Sequence, residues 1–285
     1  MNDTPPPQLD EDAAWAAFDA RDRAADGRFV VGVKTTGIYC RPSCAARRPR
    51  REHVRFLDTP QAARAAGFRA CLRCLPDEVT RDRQAVAAAI ALIDAADAPP
   101  ALDMLAARVG YAPHHFHRLF KRATGVTPAA YARARRTARA AQALAAEPSI
   151  AAALYEAGYA APSRFYADSD RRLGMAPGRW RRGGAGVDII WAVVPSPMGP
   201  LLVAMTERGL ARIAFEENEQ TLVQALPSAD IRPADDATRE RIVRIVTAAG
   251  APDRQLAEPA RRIAFIEAVS RALLAADRPR QNDTP

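Results

Sequence analysis

The stretch DGRFVVGVKTTGIYCRPSC, Asp26–Cys44, and its companion AGFRACLRC, Ala66–Cys74, together hold every cysteine of the chain. The first reads as an alternating strand, a Thr-Thr-Gly turn and then a C-x3-C pair, and the second ends in a C-x2-C pair. Twenty-six residues separate the two pairs. Two disulfides would need an oxidising compartment, whereas two closely spaced pairs at this separation have the spacing of a tetrahedral four-cysteine zinc site. Each short loop then places two sulfurs about 2.3 Å from one metal. Four unrelated buried thiols are the plainer alternative, and the paired spacing argues against it. His53 lies between the pairs but matches neither spacing, so it is expected at the surface or facing phosphate rather than on the metal.

Around this centre there is chain enough for several folded modules. A length of 285 residues allows two small domains or more, and 48% hydrophobic with 26% charged residues is ordinary globular usage. No apolar run approaches the ~20 residues of a bilayer span, and MNDTPPPQLDEDAAW is acidic and proline-rich where a signal peptide is basic and then apolar. A cytoplasmic protein with no membrane partner is expected. The net charge of +8 is segregated: residues 1–80 carry +2, residues 81–186 carry +8 and residues 187–285 carry −2. Residues 27–74 alone hold 11 basic groups against Glu52 and Asp58. Two segments can therefore hold phosphates, and the last third cannot do so by charge alone. The preference for Arg over Lys reads as compositional drift, which does not explain the segregation.

The residues flanking the cysteines say more than zinc. Phe29-Val30, Thr35-Thr36-Gly37-Ile38, Cys40-Arg41-Pro42-Ser43-Cys44, Gly67-Phe68-Arg69 and Cys71-x-x-Cys74-x-Pro76-Asp77 resemble the Ada family, adaptive-response proteins that repair methyl phosphotriesters in DNA and activate transcription. The resemblance implies that Cys40 is the methyl acceptor and that Cys44, Cys71 and Cys74 complete the ligand set of one zinc per chain. It implies a single-turnover methyltransferase. Chemistry supports this independently: a free cysteine is only a few per cent thiolate at neutral pH, but a coordinating thiol is deprotonated outright. Displacement at a methyl carbon releases a phosphodiester that regains its negative charge, and no general base is required. Lys34, Thr36, Arg41, Arg47 and Arg69 are the expected DNA contacts of this module, the cations steadying the leaving phosphate.

From about Asp82 to Gly184 the pattern becomes helical and repeats. GYAPHHF at Gly110–Phe116 recurs as GYAAPSRF at Gly158–Phe165, and GVTPAAY at Gly125–Tyr131 recurs as GMAPGRW at Gly174–Trp180. Each copy reads helix, glycine-containing turn, helix, and a basic helix from Pro128 to about Ala146 joins them. Two such units resemble the AraC-type DNA-binding domain. That resemblance implies that each second helix enters the major groove, with the two docking sites about 34 Å apart on one face of the duplex, so that a monomer reads both. The expected contacts are His114, His115, His117, Arg118 and Lys121 in the first unit, and Ser163, Arg164 and Tyr166 in the second. Phe116, Leu119, Phe120 and Phe165 read as core.

After RRGGAG, Arg181–Gly186, read as a linker, apolar runs separated by Pro-Ser-Pro-Met-Gly and Glu-Arg-Gly turns predict a small antiparallel meander. Helices are predicted around Glu219–Leu226, Ala237–Ala249 and Ala260–Ala276. This order resembles the N-terminal, ribonuclease-like subdomain of O6-alkylguanine-DNA alkyltransferases. That family's Pro-Cys-His-Arg motif is absent and no cysteine follows Cys74, so no O6-methylguanine repair is expected. The module is expected to be a truncated remnant, a spacer or a surface for RNA polymerase, with a poorly packed last helix. The resulting architecture is multidomain α+β: a zinc α/β domain over 1–80, an all-α tandem helix-turn-helix domain over 81–184 and a small α/β remnant over 187–285. The competing reading is an AraC-type regulator whose zinc site is purely structural. Burial of Cys40 and backbone donors to all four sulfurs favour that reading; an exposed Cys40 favours the acceptor.

Overall fold

The computed structural model describes residues 9–146, 149–159 and 172–276. They belong to two compact units, residues 1–88 and 89–285. Among the described residues no helix is long and apolar enough to cross a membrane.

The first unit is a four-stranded sheet with short helices. Helix α1 (Glu11–Asp19) starts at Asp10, whose carboxylate accepts from the backbone N–H groups of Asp12 and Ala13 at 3.0 and 3.2 Å. It buries Ala14 and Phe18 against Phe29, Val31 and Val54. Strands β1 (Val30–Val33), β2 (Ile38–Cys40), β3 (Val54–Leu57) and β4 (Arg69–Ala70) lie in the order β3-β1-β2-β4. The Thr-Thr-Gly turn makes β1 and β2 an antiparallel hairpin, with Val31 opposite Cys40 and Gly37 in the left-handed region at φ 64°. Helix α2 (Pro60–Ala65) is capped by Thr59 and delivers the chain to β4, which runs parallel to β2. Helix α3 (Pro76–Ala95) gives its first residues to this unit and its last to the other.

In the second unit the repeat is a pair of glycine-terminated helices. Helices α4 (Leu102–Arg108) and α5 (Pro113–Thr124) are joined at Gly110, and α7 (Ile150–Glu156) ends at Gly158. Both glycines have positive φ, 74° and 79°, and the residues after them, Tyr111 and Tyr159, donate backbone N–H bonds back to Ala106 and Leu154. The repeated Gly-Tyr is therefore a repeated helix stop. The connecting helix α6 runs Pro128–Ala146, as its proline start predicted, and α8 (Pro177–Arg181) closes the helical part.

Strands β5 (Asp188–Val194), β6 (Leu201–Thr206) and β7 (Gly209–Phe215) form the expected meander. The sheet is not purely antiparallel, however: β8 (Asp230–Pro233) adds to β5 in parallel, giving the order β7-β6-β5-β8. Helices α9 (Glu219–Ala225), α10 (Asp236–Ala248) and α11 (Glu258–Ala276) fall where the sequence places them. All six residues of β6 are buried because both faces of the sheet are covered. On one face lie Ile242, Val246, Phe265, Val269 and Leu273 from α10 and α11. On the other lie Leu144, Leu154, Tyr159 and Trp180 of the helical part, in one cluster with Ile189, Leu202 and Leu226.

Two expectations are thereby corrected. Helix α11 is well packed, because Phe265, Val269 and Leu273 meet the sheet. RRGGAG is a packed corner rather than a free linker: Ser228 donates to the Gly183 carbonyl at 2.8 Å, and a Cβ on Gly183 or Gly184 would come within 2.9 Å of Pro227 or 2.8 Å of Ala229. Gly174 is equally confined. Its φ is +62°, and a Cβ there would lie 2.9 Å from the Ala211 nitrogen. Gly174→Ala is expected to destabilise the second unit by about 1–3 kcal/mol, read as a lower unfolding midpoint of residues 89–276 with no change in residues 9–88.

Candidate metal centre and nucleic-acid interface

Strand pairing brings the two cysteine pairs together. Cys40 ends β2, and the chain turns back so that the Cys44 N–H donates to the Arg41 carbonyl at 3.1 Å. Strand β4 is bound to β2 through Arg69 N–H to Gly37 (2.8 Å) and Cys71 N–H to Tyr39 (2.9 Å). Cys71 is thereby carried to the end of β2 where Cys40 lies. Leu75, at φ 45°, donates back to the Cys71 carbonyl at 3.0 Å and closes the second loop around Cys74. The four Sγ atoms all lie within 4.8 Å of one another, and all four residues are buried. A buried set of four soft sulfur donors, with none of the described His, Asp or Glu residues among them, fits zinc. His53 faces Glu52 instead, 3.5 Å from its carboxylate.

The sulfurs are unequal. Cys40 is pushed up by its hydrogen bond to Cys74, then by burial and by the neighbouring sulfurs. Cys74 is drawn down to about 6, chiefly by that bond from Cys40 and, against its burial, by the Arg41 N–H at 3.4 Å. Burial raises Cys44, partly offset by a backbone donor at Ala46. Four thiols this close cannot all ionise alone, and a dication is what lets all four be thiolates. Cys44 and Cys74 thus accept backbone N–H bonds, while among the described residues no backbone N–H donates to Cys40 or Cys71.

Two supports behind the sulfurs escaped the sequence reading. Asp26, only 6% exposed, accepts from the Ser43 N–H at 2.9 Å and the Ser43 hydroxyl at 2.6 Å, and its carboxylate lies 3.6 Å from Arg41 Nε. It fixes the Cys40–Cys44 loop and aims Arg41. Tyr39 donates to Asp77 Oδ1 at 2.6 Å, and Arg64 donates to both, at 2.9 Å to the phenol and 2.8 Å to Asp77 Oδ2. Burial and then the Asp77 bond push the Tyr39 phenol up to about 12, so it stays a donor at any physiological pH. The only sequence signal was position: Asp26 opens the first quoted stretch, and Asp77 closes the motif after Cys74.

Lys34, Thr36, Arg47 and Arg69 are exposed around this centre, Lys34 donating to the Glu52 carbonyl at 3.1 Å. Arg41 is half-buried. In the second unit, α5 presents His114, His115, Arg118 and Lys121 to solvent, with His117 partly covered and His115 set edge-on to Tyr111 at 5.3 Å. Phe116, Leu119 and Phe120 lie in the core as read. Ser163, Arg164, Phe165 and Tyr166 lie outside the described residues.

Residues 13–77 match the family described as the metal binding domain of Ada, residues 105–183 a helix-turn-helix domain, and residues 189–245 the ribonuclease-like domain of 6-O-methylguanine DNA methyltransferase. The regulatory protein Ada of Salmonella typhimurium is 39% identical over 258 residues, covering 88% of this chain and 73% of that protein. The bifunctional transcriptional activator/DNA repair enzyme Ada of Escherichia coli is 36% identical over 274 residues, covering 93% and 77%. A solved structure of the Escherichia coli Ada protein in complex with DNA is 45% identical, covering 44% of this chain and 92% of that one, with a TM-score of 0.33. With more than a third of its residues shared with two Ada proteins over most of both lengths, the chain belongs to the Ada family.

Proposed function

We propose that this protein repairs DNA methylphosphotriesters by irreversible transfer of the methyl group to Cys40, and that the transfer switches on sequence-specific DNA binding and transcriptional activation. The observation that carries the reading is a four-sulfur cluster in the strongly basic stretch 27–74, in which Cys44 and Cys74 accept backbone N–H bonds while Cys40, at the end of β2, does not. Such donors draw electron density from sulfur and lower its nucleophilicity.

Zinc, when bound by Cys40, Cys44, Cys71 and Cys74, keeps the sulfurs deprotonated at neutral pH. The Cys40 sulfur lone pair attacks the methyl carbon from the side opposite the ester oxygen. A C–S bond forms, the C–O bond breaks, and its electron pair returns to the phosphate oxygen as negative charge. No proton moves. Arg41, held by Asp26, with Lys34, Thr36, Arg47 and Arg69, grips the backbone and offsets the returning charge. The product thioether has no easy reverse route, so each chain acts once.

For DNA reading, α5 supplies His114, His115, His117, Arg118 and Lys121, and Ser163, Arg164 and Tyr166 serve the second unit. With both units on one chain, a monomer covers two half-sites about one helical turn apart. RNA polymerase is the proposed protein partner of the activated form. The reducing cytoplasm, which keeps four free thiols ready for metal, is the proposed location.

Burial of Cys40, 7% exposed, favours the other reading, a purely structural zinc site. Intact-protein mass spectrometry after incubation with methylphosphotriester DNA separates the two. The expected result is one added methyl group per chain, mapped to Cys40, with no second turnover and none in Cys40→Ala. No uptake leaves the structural reading, whereas uptake by Cys40→Ala, or repeated turnover, overturns the assignment of Cys40 as acceptor.

A further inference from the structure

The net charge of the alkyltransferase-like part conceals a local one. Residues 187–285 carry −2 together, yet three of their arginines come to one place. Arg208 in the β6–β7 turn, Arg232 on β8 and Arg241 on α10 line a cleft of about 810 Å³, and Arg179 of α8 lines it as well. Asp188 and Glu207 are the carboxylates of the same lining, so four guanidinium groups against two leave a local excess of two positive charges. Like charges drawn together from four separate elements repel one another, which does nothing for the fold and suits an anionic ligand.

The lining is braced and two-sided. Arg179 Nη1 donates to the Gly186 carbonyl at 2.9 Å, which holds that side chain along the wall. The Thr206 hydroxyl accepts from the Arg208 N–H at 3.1 Å and donates to the Gly174 carbonyl at 2.6 Å, so the turn that carries Glu207 and Arg208 is tied down. Sheet register places Arg232 beside Ile190 and Ile190 beside Met205 on three neighbouring strands. A cation and an apolar strip thus lie side by side, and Val187 and Leu274 extend the apolar part of the lining.

We propose that this cleft binds a nucleoside di- or triphosphate. Guanidinium groups grip phosphate oxygens in pairs, and several of them around one cleft suit more than one phosphate. A lone phosphate would fill little of 810 Å³, a volume within the usual range for sites that enclose a whole small ligand. The apolar strip takes the face of a base, and Asp188 and Glu207 accept from sugar hydroxyls or ring amino groups, which a simple anion does not offer. Methyl transfer to Cys40 consumes no nucleotide, so the site is one of binding and is independent of that reaction.

Calorimetric titration of the full chain with ADP tests this, with pyrophosphate and a duplex selected by the chain from a random pool as the other arms. ADP is expected to bind more tightly than pyrophosphate. Arg232→Gln is expected to weaken ADP by about ten- to a hundredfold, the loss of one charged two-pronged contact. Arg232 is exposed on a short strand, so its replacement spares the fold, and an unchanged unfolding midpoint checks that. Arg244→Gln, an exposed residue of α10 outside the cleft, is expected to leave ADP affinity unchanged, as is methyl uptake by Cys40 in both variants. Absence of ADP binding, equal weakening by the two substitutions, or pyrophosphate bound as tightly as ADP overturns the proposal. Loss of duplex affinity in Arg232→Gln, with no ADP bound by the unsubstituted chain, assigns the cleft to the DNA backbone instead and overturns it equally.

Discussion

Chelation of zinc is expected to unfold residues 9–88 and leave residues 89–276 folded. The first unit has little else to hold it. Among the described residues, its apolar side chains gather in small clusters, such as those around Phe18 and Phe29 and around Tyr39 and Leu57, and β4 is only two residues long. A structural zinc site is worth about 10–16 kcal/mol, against a total stability of about 5–15 kcal/mol for a typical domain, so removing the metal outweighs the rest. Without it, four buried sulfurs oppose one another's ionisation, as the upward push on Cys40 shows. Hydrogen exchange with and without chelator resolves the two units in one experiment, protection collapsing over Val30–Val33 and Ile38–Cys40 but not over Leu201–Thr206. Full protection of β1 and β2 in a metal-free sample would sink this account of the fold.

Methylation of Cys40 is expected to raise affinity for the selected duplex by between several-fold and about a thousandfold. Four thiolates and a dication carry a formal charge of −2, and the thioether formed at Cys40 is neutral, so the cluster moves to −1. The 11 basic groups of residues 27–74 are unchanged, and the surface becomes more attractive to DNA. One unit of charge about 4 Å from a phosphate is worth ~1 kcal/mol at the dielectric of water and ~4 kcal/mol at an effective value of 20, which sets the two limits. The gain adds to the contacts of α5 because both units are on one chain. It must shrink as salt rises. Binding of methylated and unmethylated protein across a salt series decides the matter: equal affinities at low salt reject the charge mechanism even if methyl transfer is confirmed.

Much of this site was legible because its signals are local. Paired cysteine spacings, the glycines that stop α4 and α7, and the proline that starts α6 each act within a few residues of their effect. The unread features depend on chain neighbours far apart in sequence. Parallel pairing of β2 with β4 rests on two registers across about 30 residues, with no hairpin turn to announce it. The same holds for β8 beside β5. Asp26 looks like an ordinary turn residue until Ser43, 17 positions later, is folded against it. Composition misled at RRGGAG, because glycine there permits close approach to Pro227 and Ala229 rather than freedom.

That corner has a practical side. Arg181 and Arg182 in a glycine-rich turn look like an open site for trypsin and a natural place to divide the gene. Both arginines are exposed, but with Ser228 bonded to Gly183 and Trp180 in the core, cleavage there is expected to require local unpacking of this corner. A gene divided there would yield a DNA-reading half with Leu144, Leu154 and Trp180 bared to water, and a sheet with Ile189 and Leu202 bared in the same way. Each half would carry an apolar face of the kind that drives aggregation, and poor solubility of such fragments would reflect the cut rather than the native protein.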